Sequence, residues 1–323
     1  MNDPEFPKTL QQVIKYFANE DRAFAYMVAI RWPYGHVSCP RCGSGEVSFI
    51  STRKVWTCKA CVTQKQFSLR VGTILEDSPI KFDKWITAFW LIANAKNGIS
   101  SYEIGRGLGV TQRTGWFMLQ RIRLAMQNGS LMKVGGQVEV DETFIGGKAR
   151  NMHKDKRAMR VKGTGPMAMT PVMGLLERST RQGVASRIIV KQVNTRKKAE
   201  LQAEVRKYVL KGAEIHTDAL PSYNGLEDEY THNVVDHAVE YVRGHVHTNG
   251  LENFWSLLKR AIKGTYVSVE PFHLFRYLDE QAFRFNERKD DDQGRFFKAI
   301  AGMIGKRTYK ALTGCAQELP ATA

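Results

Sequence analysis

The chain has 323 residues, 43% of them hydrophobic and 10% aromatic, enough for two or three domains with cores of their own. Its 48 Lys and Arg against 32 Asp and Glu give a net charge of +16, which points to a polyanionic partner, nucleic acid first. No apolar run is long enough to span a bilayer, WITAFWLIANA being too short, so no membrane partner is expected. MNDPEFPKTL has neither the basic nor the apolar region of a secretory signal, and the expected location is the cytoplasm.

An N-terminal helical segment is expected over 1–35. Leu10, Val13, Ile14 and Phe17 form one apolar stripe, and Phe24, Met27, Val28 and Ile30 resume it after the polar ANED break. A zinc ribbon follows over 36–72. Cys39 and Cys42, then fifteen residues, then Cys58 and Cys61 can surround one tetrahedral Zn²⁺ per chain. Five cysteines, four of them so clustered, fit a reduced compartment better than a disulfide framework. Four thiolates leave no open coordination position, so the ribbon is structural or DNA-docking rather than catalytic. The pieces EVSFIS, KVWTC and QKQFSLR read as its short strands.

Residues 80–130 read as a helix-turn-helix domain. Phe82, Trp85, Ile86, Phe89 and Trp90 recur at helical spacing as core rather than as a base-stacking surface. Ser100 and Glu103 make a capping box, Gly109 marks the turn, and Thr111 caps a second helix whose Met118, Ile122 and Ala125 face inward. The exposed first turn would present Gln112 and Arg113 to base edges in a major groove. A helical hairpin packed on a neighbouring domain fits the same pattern.

From Gln137 the texture changes to strands, and a catalytic domain is expected over 135–290. QVEVDETFIGG is a strand carrying Asp141, MTPVMGLL and ASRIIVKQV are two more, and Asn194-Thr195 caps a crossover helix ending near Leu210. AEIHTDA is a fourth strand ending at Asp218. This is the ribonuclease-H-like order, which places Asp141 and Asp218 on neighbouring strands within a multidomain α+β chain. A later strand near Asn233–Val235 and helices over Asn249–Lys263 and Pro271–Asn286 follow, the last with Phe272, Phe275, Leu278, Ala282 and Phe285 as its stripe. A helical tail closes the chain over 291–323.

Three acids, Asp141, Asp218 and Glu252, suggest one metal site, because carboxylates converging at a strand edge can hold two Mg²⁺ ions for phosphodiester chemistry once DNA supplies further ligands. Glu142 should point to the opposite strand face as a hairpin or surface residue. His216, His245 and His247 lack the spacing of a histidine metal centre and fit supporting or phosphate contacts. Between Lys148 and Lys162 there are seven Lys or Arg and one Asp. Lys148, Arg150, Lys154, Lys156 and Arg157 there could clamp phosphates, or form a solvated loop.

Taken together, CPRCGS, WTCKAC, VGTILEDSPI, GISSYEIGRGLGVTQRTGWFMLQRIR, VEVDETFIGG, HTDALPSY and HTNGLENFWSLLKRAIKGTY resemble a bacterial insertion-sequence transposase of the zinc-ribbon class with a DDE-type, integrase-like core. The resemblance spans roughly residues 22 to 290. It implies Mg²⁺-dependent hydrolysis at transposon ends, joining of the freed 3′ hydroxyl to target DNA, and two or more copies of the chain holding paired ends of double-stranded DNA. It carries Asp141 and Asp218 over as metal ligands. Glu252, 34 positions after Asp218 and seven before Lys259, matches the third acid followed by a basic DNA contact, here Lys259 with Arg260 beside it. Relatives with Asn in the third position make Asn249 the alternative, and a metal-free capping pair of Asn249 with Glu252 is a third reading. A DNA-binding regulator with an inactive core and a nuclease without strand transfer are the competing functions.

Overall fold

The computed structural model describes residues 6–127, 132–147, 154–155, 169–179, 185–235 and 247–305. The chain divides into two compact units, 1–127 with 290–323, and 128–289.

In the first unit, Thr9 and Gln12 form a capping box that starts α1 (Leu10–Phe17), and the Asn19 side chain accepts the Asp21 and Arg22 N–H groups to start α2 (Glu20–Arg31). The polar break is thus a fresh N-cap. Val13 and Phe17 are buried, but Ile14, expected in the same stripe, is 51% exposed. Strands β1 (Val47–Ile50), β2 (Val55–Cys58) and β3 (Gln66–Ser68) form an antiparallel sheet anchored by buried Trp56, which stacks on Phe67 and Phe24. Helix α3 (Phe82–Asn94) is a core helix: Trp85, Ile86, Phe89 and Trp90 are buried, and α1, α2 and the C-terminal helix Asp292–Ala301 pack on it.

Helices α4 (Ser101–Leu108) and α5 (Gln112–Ala125) are the expected pair. Both bonds of the Ser100–Glu103 capping box are present, Gly109 ends α4 in the left-handed region at φ +60°, and Thr111 accepts the Thr114 N–H at 3.2 Å. The helices touch closely enough that a Cβ at Gly115 would lie 2.7 Å from the Ser101 carbonyl oxygen.

The second unit is built on five strands, β4 (Gln137–Ile145), β5 (Thr170–Glu177), β6 (Arg187–Gln192), β7 (Glu214–Asp218) and β8 (Thr231–Val235), in the order β6-β5-β4-β7-β8. β4, β5 and β6 are antiparallel neighbours, and β7 and β8 run parallel to β4 after the crossover helix α6 (Lys198–Tyr208). This is the ribonuclease-H-like order. Alternation along β4 sends Val138 and Val140 to one face, where they pack with Leu175, Ile189 and Ile215 against Leu201 and Val205 of α6. The other face, with Val172, Leu176, Ile188 and Val190, lies under α7 (Asn249–Ala261) and α8 (Leu274–Asn286) through Leu251, Phe254, Trp255, Leu258 and Leu278. Both faces of the central strand are therefore covered.

Two local expectations are corrected. Helix α6 is not capped by Asn194 or Thr195, because Lys197 holds the N-cap position and the Glu200 carboxylate instead reaches back to the Asn194 and Thr195 N–H groups at 2.7 and 2.9 Å. Phe272 is not part of the α8 stripe: it sits in a 3-10 turn, Pro271–His273, and is 41% exposed. No described helix is long and apolar enough to cross a membrane.

Candidate functional site

The four cysteines converge. The Sγ of Cys39 lies 3.8 Å from that of Cys61, and the Sγ of Cys42 lies 3.6 Å from Cys58 and 3.5 Å from Cys61. All four lie within 4.8 Å of one another. Zinc–sulfur bonds of about 2.3 Å in a tetrahedron require sulfurs about 3.8 Å apart, so the residues fit the ion. The first knuckle closes through the Gly43 N–H donating to the Cys39 carbonyl at 2.9 Å, a turn that puts Gly43 at φ +75°. Arg41 ties it to the second by donating to the Gln64 and Gln66 carbonyls. Burial raises the Cys39 thiol, but N–H groups of Arg41 and Cys42 and the neighbouring Cys42 and Cys61 thiols outweigh this and lower it, while the contact with Cys42, then burial, push Cys61 up to about 12, so the four sulfurs share their protons unevenly.

In the second unit the parallel register pairs Glu139 of β4 with His216 of β7. Two residues further along each strand come Asp141 and Asp218, at the end where the two strands part. Asp141 shares the α7 face of β4 with Glu139. Its Oδ2 accepts the Trp255 indole N–H at 2.8 Å and its Oδ1 accepts the Glu142 N–H at 2.8 Å. Burial pushes the Asp141 carboxyl up to about 6, against the pull of the Trp255 bond, and Asp218 and Glu252 add repulsion. Asp218 is half-buried, its Oδ1 accepting the Leu220 N–H at 3.2 Å.

Glu142 is a correction. It does point to the strand face opposite Asp141, but it is no surface residue: its side chain is 2% exposed and its Oε1 has no hydrogen-bond partner among the described residues. Burial first, then Asp218 and Asp141, push it up to about 8, with Arg196 at 4.0 Å opposing. Helix α6 covers that face, so alternation does not deliver the side chain to water. A concentration of carboxylates that repel one another is chemistry that a hard cation relieves, and Asp141 and Asp218 suit Mg²⁺, which needs few carboxylates beside water and phosphate. Among the described residues, however, only the cysteines close to within 4.8 Å as a group of three or more ligands.

Glu252 and Asn249 are both exposed in the first turn of α7. The capping pair is not formed, since Thr248 holds the N-cap position without a capping bond from its own side chain and Asn249 is already helical. Instead the Leu251 N–H donates to the Oε2 of Glu139 at 2.9 Å. Glu139 is buried and paired with Arg178 at 2.7 Å, and Arg178 also meets the His247 ring at 2.8 Å. His216 is buried, with neither ring nitrogen hydrogen-bonded among the described residues, and burial with nearby Arg178 drives it down to about 4, so it is neutral. His216 and His247 thus gather with Glu139 and Arg178; His245 lies outside the described residues. Sequence reasoning missed Glu139, Arg178 and Trp255. The one signal was Glu139 in step with Asp141 on the same strand face.

Gln112 and Arg113 are exposed on the first turn of α5, and the Gln112 amide donates to Ser101 Oγ at 2.8 Å. The rest of α5 is embedded, with Arg121 donating to the Ile74 and Glu76 carbonyls. Lys154 is exposed, Lys259 is half-buried and Arg260 is exposed in the last turn of α7. Lys148, Arg150, Lys156 and Arg157 lie outside the described residues.

Comparison with known families matches residues 133–286 to the ISXO2-like transposase domain and residues 18–64 to the transposase zinc-ribbon domain. No curated protein matches the chain. The first match covers the five-stranded sheet with α6, α7 and α8, and the second covers all four cysteines. With its five-stranded unit and its ribbon each matched to a transposase domain, the chain belongs to the insertion-sequence transposases of the zinc-ribbon class.

Proposed function

We propose that this chain binds the inverted repeats of its insertion sequence as double-stranded DNA, hydrolyses the phosphodiester at each end and joins the freed 3′ hydroxyl to target DNA. The observation that carries the reading is that Asp141 and Asp218 each lie two residues beyond the Glu139–His216 register pair of two parallel strands, with the charge of Asp218 helping to raise the buried Asp141 carboxyl. Two Mg²⁺ ions, once bound with DNA, would supply an activated oxygen nucleophile and stabilise the leaving oxygen. Asp141 and Asp218 hold them, and Glu252 completes the set because its carboxylate offsets metal charge where the neutral amide of Asn249 does so weakly. Gln112 and Arg113 read the terminal repeat, while Lys154, Lys259, Arg260 and the basic residues Lys148, Arg150, Lys156 and Arg157 hold phosphates. Two copies of the chain hold the paired ends.

The test is incubation of the zinc-loaded protein with terminal-repeat duplexes, plasmid target and Mg²⁺. Products should include nicked ends and ends covalently joined to plasmid. Cleavage without joining would instead make the protein a nuclease, and sequence-specific binding without either would make it a regulator.

A further inference from the structure

Helix α7 meets strand β4 through two side-chain hydrogen bonds. Glu139 and Asp141 lie on one face of the strand, two residues and about 6.7 Å apart. Leu251 and Trp255 lie on one face of the helix, four residues and about 6 Å apart. The spacings nearly match, and each pair is joined by a hydrogen bond: the Leu251 N–H to Glu139 at 2.9 Å and the Trp255 indole N–H to Asp141 at 2.8 Å. A third residue makes the second bond possible. Gly174 of β5 is the register partner of Asp141, and a Cβ there would lie 2.8 Å from Cζ2 and 2.9 Å from Cη2 of the Trp255 ring, and 2.6 Å from the Leu251 side chain. The indole occupies the space that any other residue at 174 would fill.

We propose that Trp255 is a positioning residue for the carboxylate site: lodged over Gly174, it fixes the Asp141 carboxylate in the orientation that receives the cation. The inference rests on the metal-site reading of Asp141. Indole N–H is a donor only, so it selects an accepting carboxylate oxygen. With Oδ2 held by the indole and Oδ1 by the Glu142 N–H, neither oxygen is free to rotate, yet each keeps a lone pair for a metal. The same helix carries Glu252, so one contact sets both the rotamer of Asp141 and the helix bearing its proposed fellow ligand.

The test uses the full-length, zinc-loaded chain. Of its six tryptophans, the indole N–H resonance of Trp255 is the one lost in Trp255→Phe, which keeps an aromatic ring but no donor. In metal-free buffer that resonance should move in Asp141→Asn; no movement overturns the proposal without reference to any metal. Mn²⁺ affinity is then measured directly, by the free-ion spin-resonance signal with terminal-repeat DNA present. Trp255→Phe should bind Mn²⁺ roughly 10-fold more weakly or worse, the usual effect of losing a group that orients a ligand. Gly174→Ala, which displaces the indole without altering a polar atom, should do the same. Wild-type affinity in folded Trp255→Phe, even with a lower melting temperature, would leave Trp255 a packing residue and overturn the proposal. If the wild type binds no Mn²⁺, the metal-site reading itself fails, and the proposal with it.

Discussion

Glu139→Gln probes how α7 is held against the sheet. The change keeps shape and one acceptor oxygen, but it removes the charge from a side chain 2% exposed that faces Arg178 at 2.7 Å and accepts the Leu251 N–H at 2.9 Å. Leaving one member of a buried ion pair uncompensated costs about 3–5 kcal/mol, and loss of an anion from a helix N-terminus adds roughly 0.3–1 kcal/mol. Arg178 keeps its contact to His247, so the lower end applies, about 3 kcal/mol. For a unit of this size that is a melting shift of roughly 6–12 °C. The assay is thermal unfolding of the full chain, with hydrogen exchange over the first turns of α7 to assign the transition. The Leu251 amide should lose protection, and adding Arg178→Met to Glu139→Gln should recover part of the loss, since removing both charges leaves nothing unpaired. A Glu139→Gln protein within about 0.5 kcal/mol of wild type, with an unchanged Leu251 amide, would refute the reasoning.

Chelating the zinc should unfold the ribbon and weaken DNA binding while leaving the exchange pattern of 128–289 intact; stoichiometry should be about one zinc per chain, and folded zinc-free protein with four titratable thiols would contradict this. Glu142, at about 8 in the folded chain against 4.5 ordinarily, keeps its proton when the unfolded chain has released it, so its contribution to stability falls as pH rises from about 4.5 toward 8. Glu142→Gln in metal-free buffer should therefore stabilise by up to about 3 kcal/mol at pH 7 and by little near pH 4, and a gain independent of pH would show that the carboxyl is not held protonated. Glu252→Gln should lose Mg²⁺-dependent cleavage and Asn249→Ala should lose less, at melting temperatures close to wild type because neither residue caps α7; the reverse order of activity would make Asn249 the third ligand.

The ribbon was legible because metal ligation is written in local spacing, and Cys39, Cys42, Cys58 and Cys61 need only two short turns to meet. The start of α4 was legible for the same reason: Ser100 and Glu103 satisfy each other three residues apart. Period-two alternation gave the strands bearing Asp141 and Asp218. Trp255 and Glu139 were not legible, because their partners lie 114 and 112 residues away, and an apolar helix face reads as core whether or not its indole N–H has a partner. Gly174 was silent because its role is the space it leaves. Glu142 was misread because alternation tells which face a side chain takes, not whether a helix covers that face.

The central claim is that Asp141 and Asp218 form a metal-dependent DNA-cleaving site. It is tested most directly by single-turnover cleavage of terminal-repeat duplexes in Mg²⁺ by wild type, Asp141→Asn and Asp218→Asn, each at saturating DNA occupancy and with folding verified. Each substitution removes a ligand charge and keeps the side-chain shape, so both variants should bind the ends as well as wild type and cleave at background. Cleavage at the wild-type rate by either variant would contradict the account.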